Sequence, residues 1–108
     1  MPWVEVASLH DLPPGGSLEF STGGRIYALF RSLDGEEITC LDGLCPHQGG
    51  RLASGPFDGS KVTCSRLGCL RWSFDVWTGV SSVGDPVRLR VYPARLEGRA
   101  VVVALPED

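Results

Sequence analysis

The sequence predicts an all-β protein, an antiparallel β-sandwich or barrel carrying a loop-rich insert over about residues 43–79. Three observations predict it. The 108 residues include 14 glycines and 8 prolines, with glycine at about twice its average usage, which favours a chain that turns often. Short runs rich in apolar and β-branched residues recur between those turns. No segment keeps a helical apolar period over three turns.

The elements follow in order. Trp3–Ala7 alternates, and Leu12-Pro13-Pro14-Gly15-Gly16 then forces a turn, because proline fixes φ and glycine accepts a positive one. Residues 5–12 have material for one helical turn at most. Gly23-Gly24 is a further hairpin turn. Arg25–Arg31 is apolar and aromatic, and Asp34-Gly35 turns it into Glu37–Leu41. Lys61–Cys64 and Trp72–Trp77 are short strands, the second stopped by Thr78-Gly79. Arg88–Tyr92 alternates polar and apolar residues. Ala100–Leu105 is a continuous apolar run, the pattern of a strand covered on both faces. The length suits one domain, 1–108, and no repeat, low-complexity tract or linker interrupts it.

Charge and composition narrow the function classes. The formal net charge is −3 and the arginines are scattered, which leaves no basic footprint for nucleic acid. No run approaches the roughly twenty apolar residues that cross a bilayer, and no basic segment leads into an apolar run at the N-terminus. No nucleic-acid or membrane partner is therefore expected. Four cysteines in such a chain read as metal ligands or buried thiols rather than disulfides, with a reducing, cytoplasmic location as the expectation.

The chemistry concentrates in Cys45-Pro46-His47, with sixteen residues between His47 and Cys64. A thiolate and an imidazole two residues apart reach one small inorganic site from a single loop. A second loop bearing a thiolate closes on it from the other side. Zinc and iron–sulfur clusters are what such donor pairs hold. Three residues after Cys64, where a second histidine would complete the pattern, stands Leu67, and Cys69 follows two residues later.

Cys45-Pro46-His47-Gln48-Gly49-Gly50, Leu52, Gly55, Val62-Thr63-Cys64, Gly68 and Phe74-Asp75-Val76 with Thr78-Gly79 resemble the Rieske-type ferredoxins. The opening Trp3-Val4-Glu5-Val6 and the closing Val91-Tyr92-Pro93 are similar too, so the resemblance covers nearly the whole chain. It implies a β-sandwich base whose two loops hold a [2Fe–2S] cluster, with Cys45 and Cys64 on the buried iron and His47 on the outer one. Imidazole ligation implies a potential of about −150 to +300 mV, against about −400 mV for all-cysteine ferredoxins. The implied role is single-electron transfer from a flavin reductase to an oxygenase or hydroxylase. A second role in the family is the small subunit of a nitrite reductase, some of which lack ligands.

Leu67 departs from that pattern, since an alkyl side chain has no lone pair to give iron, and the loop runs longer than the family's before Phe74-Asp75. Three readings stay open. Cys69 is the fourth ligand, making a three-cysteine, one-histidine site of lower potential. Alternatively, the cluster is lost and the fold serves as a structural or regulatory subunit. Or Leu67 is an incidental substitution at a histidine position. A Cys₃His zinc module built from Cys45, His47, Cys64 and Cys69 satisfies the donor chemistry equally.

Other residues have plainer readings. Cys40, within Glu37-Ile38-Thr39-Cys40-Leu41, is a buried strand thiol, and His10 has no assigned role. Trp72 and Phe74 pack beneath the loops. Gly84-Asp85-Pro86 resembles the proline-containing loop that covers the cluster in this family, or is a plain turn into the Arg88 strand. No nucleophile is paired with a base and no loop cradles phosphate, so the expected role is a non-catalytic electron-transfer component.

Overall fold

The computed structural model describes residues 3–46, 49–64, 72–84 and 87–106. Its centre is a four-stranded antiparallel sheet in the order β2 (Ser17–Thr22), β3 (Arg25–Arg31), β4 (Ile38–Asp42), β7 (Val91–Tyr92). A three-stranded antiparallel sheet, β1 (Trp3–Ser8), β9 (Ala100–Ala104), β8 (Ala94–Glu97), covers one face. A short hairpin of β5 (Lys61–Thr63) and β6 (Ser73–Asp75) belongs to the insert on the other. The expected all-β, antiparallel sandwich is what forms, and among the described residues the helical content is two 3₁₀ turns, Leu9–Asp11 and Leu52–Ser54. None is long and apolar enough to cross a membrane.

Alternation along the central strands explains why they read as unbroken apolar runs. Successive side chains point to opposite faces. Tyr27 and Leu29 of β3, with Ile38 and Cys40 of β4, enter a core shared with Leu12, Tyr92, Val101, Val103 and Leu105. Ala28 and Phe30, with Leu41, enter a second core against Leu52, Val62, Phe74, Val76 and Leu89 of the insert side. The sheet is thus a partition buried on both faces, and each face demands apolar residues. Thr39 is the polar exception, and its buried hydroxyl donates to the Val76 carbonyl at 2.8 Å, tying sheet to insert.

Several boundaries differ from the sequence reading. β2 and β8 form where no strand was expected. Trp3–Ala7 does not alternate in burial: its first three residues are exposed, and its pairing with β9 shifts register between Glu5 and Ala7. The strand expected over Arg88–Tyr92 is confined to Val91–Tyr92, with Arg88 in an isolated bridge to Val80. Both faces of β9 are covered, as its continuous run required.

Candidate metal centre

The first candidate loop begins where β4 ends. Leu44 bridges Arg51, the Cys45 amide donates to the Gly50 carbonyl at 2.8 Å, and the Gly49 amide donates back to the Cys45 carbonyl at 2.7 Å. Gly49 takes a φ of 71°, the left-handed conformation that closes this tight excursion without a Cβ penalty. The Leu52 amide bonds the Gly43 carbonyl at 3.0 Å, so the loop leaves and returns at one point. Cys45 sits at that base, 1% exposed.

The second loop has the same build. Thr63 pairs with Ser73 at the end of the β5–β6 hairpin, and the Cys64 amide donates to the Trp72 carbonyl at 2.8 Å. Cys64 is 2% exposed. The two loop bases are joined side by side: the Thr63 amide donates to the Pro56 carbonyl at 3.0 Å. The contact requires glycine at 55, where an added Cβ would lie 1.9 Å from the Thr63 carbonyl oxygen. Cys45 and Cys64 consequently fall in one buried cluster with Leu41, Leu52, Val62 and Phe74, and Trp72 packs on it half-buried. A third segment folds against the second base, with the Ser82 amide on the Ser73 carbonyl at 2.8 Å and the Ser73 amide on the Ser82 hydroxyl at 3.1 Å.

The structure therefore brings two of the four expected donors together. His47 and Cys69 lie outside the described residues, as do Leu67 and the Asp85-Pro86 portion of the third loop. Cys40 goes to the opposite face of the sheet: it is fully buried in the sandwich core, and burial, with the Asp42 carboxylate adding to it, raises its pKa well above the ordinary thiol value. That placement is what a structural thiol requires. Among the described residues no group of three or more histidine, cysteine or acidic side chains gathers as a metal site.

Donor chemistry tests the expected cofactor. Cysteine sulfur is the donor that iron–sulfur clusters take, and two cysteines from separate loops share one buried cluster here. Cys45 and Cys64 thus fit the sulfur-ligated iron of a [2Fe–2S] centre in which histidines serve the other iron. For that second iron the sequence offers His47, while Leu67 offers nothing.

Sequence reasoning missed the supports of this arrangement. The Tyr92 hydroxyl donates to Asp42 at 2.7 Å, beside the start of the first loop, and Thr39 and Gly55 hold the insert in place. Tyr92 and Asp42 are fifty residues apart in the chain, and no local pattern announces such a pair.

Known proteins share this build. The chain is 30% identical over 105 residues to the ferredoxin component of a naphthalene 1,2-dioxygenase system from Pseudomonas aeruginosa, covering 95% of each chain. It is 36% identical over 106 residues to the biphenyl dioxygenase ferredoxin subunit of Pseudomonas sp. (strain KKS102), covering 95% of this chain and 92% of that one. Among solved structures, a chain in the complex of reduced oxygenase and oxidized ferredoxin in carbazole 1,9a-dioxygenase superposes with a TM-score of 0.79 at 25% identity, covering 94% and 92% of the two chains. A family model described as the Rieske [2Fe-2S] domain matches residues 2–93. That match spans both loops and the sheet beneath them, and this chain belongs to the Rieske [2Fe-2S] domain family.

Proposed function

We propose that this protein is a Rieske-type ferredoxin that carries single electrons to the oxygenase of a dioxygenase-type system, receiving them from a flavin reductase. The observation that carries this reading is the convergence of Cys45 and Cys64, from two separate loops, in one buried cluster. The relatives that match it end to end are ferredoxin components of dioxygenase systems.

A bound [2Fe–2S] cluster would supply a one-electron couple. The chain's own residues do the rest. Cys45 and Cys64 would hold one iron of the cluster through their thiolates, and His47 would supply an imidazole to the other. Cys69 would be the fourth donor, because Leu67 has no lone pair and Cys69 is the next thiol along the same loop. Leu52, Val62 and Phe74 keep water from the sulfur side, and the hydrogen-bonded loop bases keep both thiols in one buried cluster. The chain acts as one domain whose 43–79 insert carries the donors. A reducing, cytoplasmic compartment suits thiols kept for metal.

Protein purified without oxygen tests the reading by iron, sulfide and zinc analysis with visible and electron paramagnetic resonance spectra. Iron and sulfide in equal amounts, with a chromophore that bleaches on one-electron reduction, are expected. Zinc alone would show a Cys₃His structural site, and neither metal would show a cluster-free scaffold. Either result sinks the electron-carrier assignment.

A further inference from the structure

Side chains on β2 reach the first ligand loop. Across the β2–β3 pairing Ser17 lies opposite Phe30 and Glu19 opposite Ala28, and Phe30 and Ala28 belong to the insert-side core. Strand alternation therefore turns Ser17 and Glu19 toward the insert. There the Ser17 hydroxyl donates to the Ala53 carbonyl at 2.8 Å, and the Arg51 guanidinium donates to Oε2 of Glu19 at 2.6 Å. Residues 51–53 are the limb by which the loop returns: Arg51 bridges Leu44, and the Leu52 amide bonds the Gly43 carbonyl. Two side chains of one strand thus grip that limb on either side of Leu52. Oε1 of Glu19 is buried and meets no donor among the described residues, an arrangement that costs stability. The Glu19 side chain is 27% exposed against 61% for Arg51, so its charge is the less screened of the two. By contrast, the ion pair of Arg95 with Glu97 joins two residues of β8 and ties down no loop.

We propose that Glu19 is a positioning residue for the metal centre. Acting through Arg51, with Ser17 beside it, Glu19 locks the return limb of the first ligand loop before metal arrives, and its charge lowers the potential of the bound centre. The inference rests on the electron-transfer function above and adds the residue that presets and tunes the first loop. The Cys45 amide bonds the carbonyl of Gly50, the residue before Arg51, so freeing the limb at 51 frees the base on which Cys45 sits. Every loop residue that must be ordered on binding subtracts conformational entropy from the affinity for metal. A limb already fixed by β2 avoids that loss. A reduced carrier holds one more electron than an oxidised one, so a carboxylate on the insert side opposes reduction, and partial burial strengthens its effect. A pair that merely stabilised the sandwich would act on both ligand loops alike.

Amide hydrogen exchange in metal-free protein reads the clamp. In Glu19→Ala, Arg51→Ala and Ser17→Ala, the Cys45, Gly49 and Leu52 amides are expected to exchange faster by about fivefold, the order set by loss of one partly exposed ion pair or hydrogen bond. The Cys64 amide, bonded to Trp72 in the second loop, should keep its parent rate. Glu19→Ala/Arg51→Ala should exchange no faster than either single variant, since the two side chains act as one unit. Arg95→Ala, which breaks the ion pair within β8, should leave all these amides unchanged. In the holoprotein, Glu19→Gln keeps an acceptor oxygen for Arg51 and removes the charge. A redox titration of that variant is expected to give a midpoint above the parent's at the same iron and sulfide content. Parent exchange rates in the three single variants, equal speeding at Cys64, or a Glu19→Gln midpoint at or below the parent's would each overturn the proposal. With a reducible cluster present, those results end this inference alone. Protein without an iron–sulfide chromophore ends the electron-carrier reading and this one with it.

Discussion

The Tyr92 hydroxyl donates a 2.7 Å hydrogen bond to Oδ1 of Asp42, and that bond anchors the last residue of β4 three positions before Cys45. Tyr92 itself is held by its ring: Tyr27 meets it edge-on at 5.3 Å, and the Arg90 guanidinium lies 5.1 Å over it. A residue buried in the sandwich core thus reaches the base of the first ligand loop.

Tyr92→Phe keeps the ring packing and removes only the hydroxyl. It is expected to cost about 1–2 kcal/mol, the range for a hydrogen bond to a carboxylate that water can partly replace. Chemical denaturation measures this. A variant as stable as the parent would show that the bond is incidental.

Alkaline pH should weaken the fold. Burial is the main cause raising the pKa of both Cys40 and Tyr92, with Asp42 adding to each, from ordinary values of 9.0 and 10.0. Both groups then keep their protons in the folded state after the unfolded chain has begun to lose them. Their stabilisation is complete below pH 9 and is lost progressively as pH rises beyond 9 to 10 toward the folded values. Denaturation midpoints measured upward from neutrality should fall in that region, and a Cys40→Ala/Tyr92→Phe variant should fall less. Parallel curves for parent and variant would refute the assignment.

The cysteines should divide by face. Cys45→Ser and Cys64→Ser are each expected to abolish iron and sulfide binding, because each removes a thiolate from the insert-side cluster. Cys40→Ala, on the sandwich side, should leave the iron content unchanged. Loss of iron in Cys40→Ala with a folded protein would contradict the separation of the two faces.

The second loop can be tested by exchange of donors. Cys69→Ser is expected to lower iron content, and adding Leu67→His should restore it with a midpoint potential higher by on the order of 100 mV, as an imidazole replaces a thiolate. Unchanged iron and potential in Cys69→Ser would remove Cys69 from the ligand set.

Two glycines with nearly the same positive φ should respond differently to alanine. Gly79 and Gly84 have φ of 81° and 80°. An added Cβ at Gly79 would lie 2.1 Å from the Leu89 carbonyl oxygen, whereas at Gly84 it meets nothing within 4 Å. Gly84→Ala should cost only the left-handed backbone penalty of about 1–2 kcal/mol, and Gly79→Ala more than that, about 3 kcal/mol or beyond once the forced shift is included. Equal thermal shifts would show that the Gly79 contact relaxes freely.

What was legible in the sequence follows from burial on two faces. β3 and β9 are covered on both sides, so each residue carries apolar signal and the runs stand out. β2 and β8 lie at sheet edges and include exposed polar positions, so Ser17–Thr22 and Ala94–Glu97 carry a weaker apolar signal. The glycine turns were legible because their φ values admit few other residues. The donor types and their spacing were legible because metal chemistry accepts few side chains.

The sequence by itself determined the all-β class, the turn positions and the set of residues able to hold a metal. Only the tertiary structure decided which thiols share a core. Cys40 and Cys45 are five residues apart in the chain, yet strand alternation sends Cys40 into the sandwich while the turn after β4 carries Cys45 to the insert. Cys64 falls in the same buried cluster as Cys45, where one hydrogen bond, from Thr63 to Pro56, and one missing Cβ, at Gly55, let the backbone of the two loop bases approach. Proximity of that kind is set by the path of the backbone through the whole fold, and no local stretch of residues encodes it.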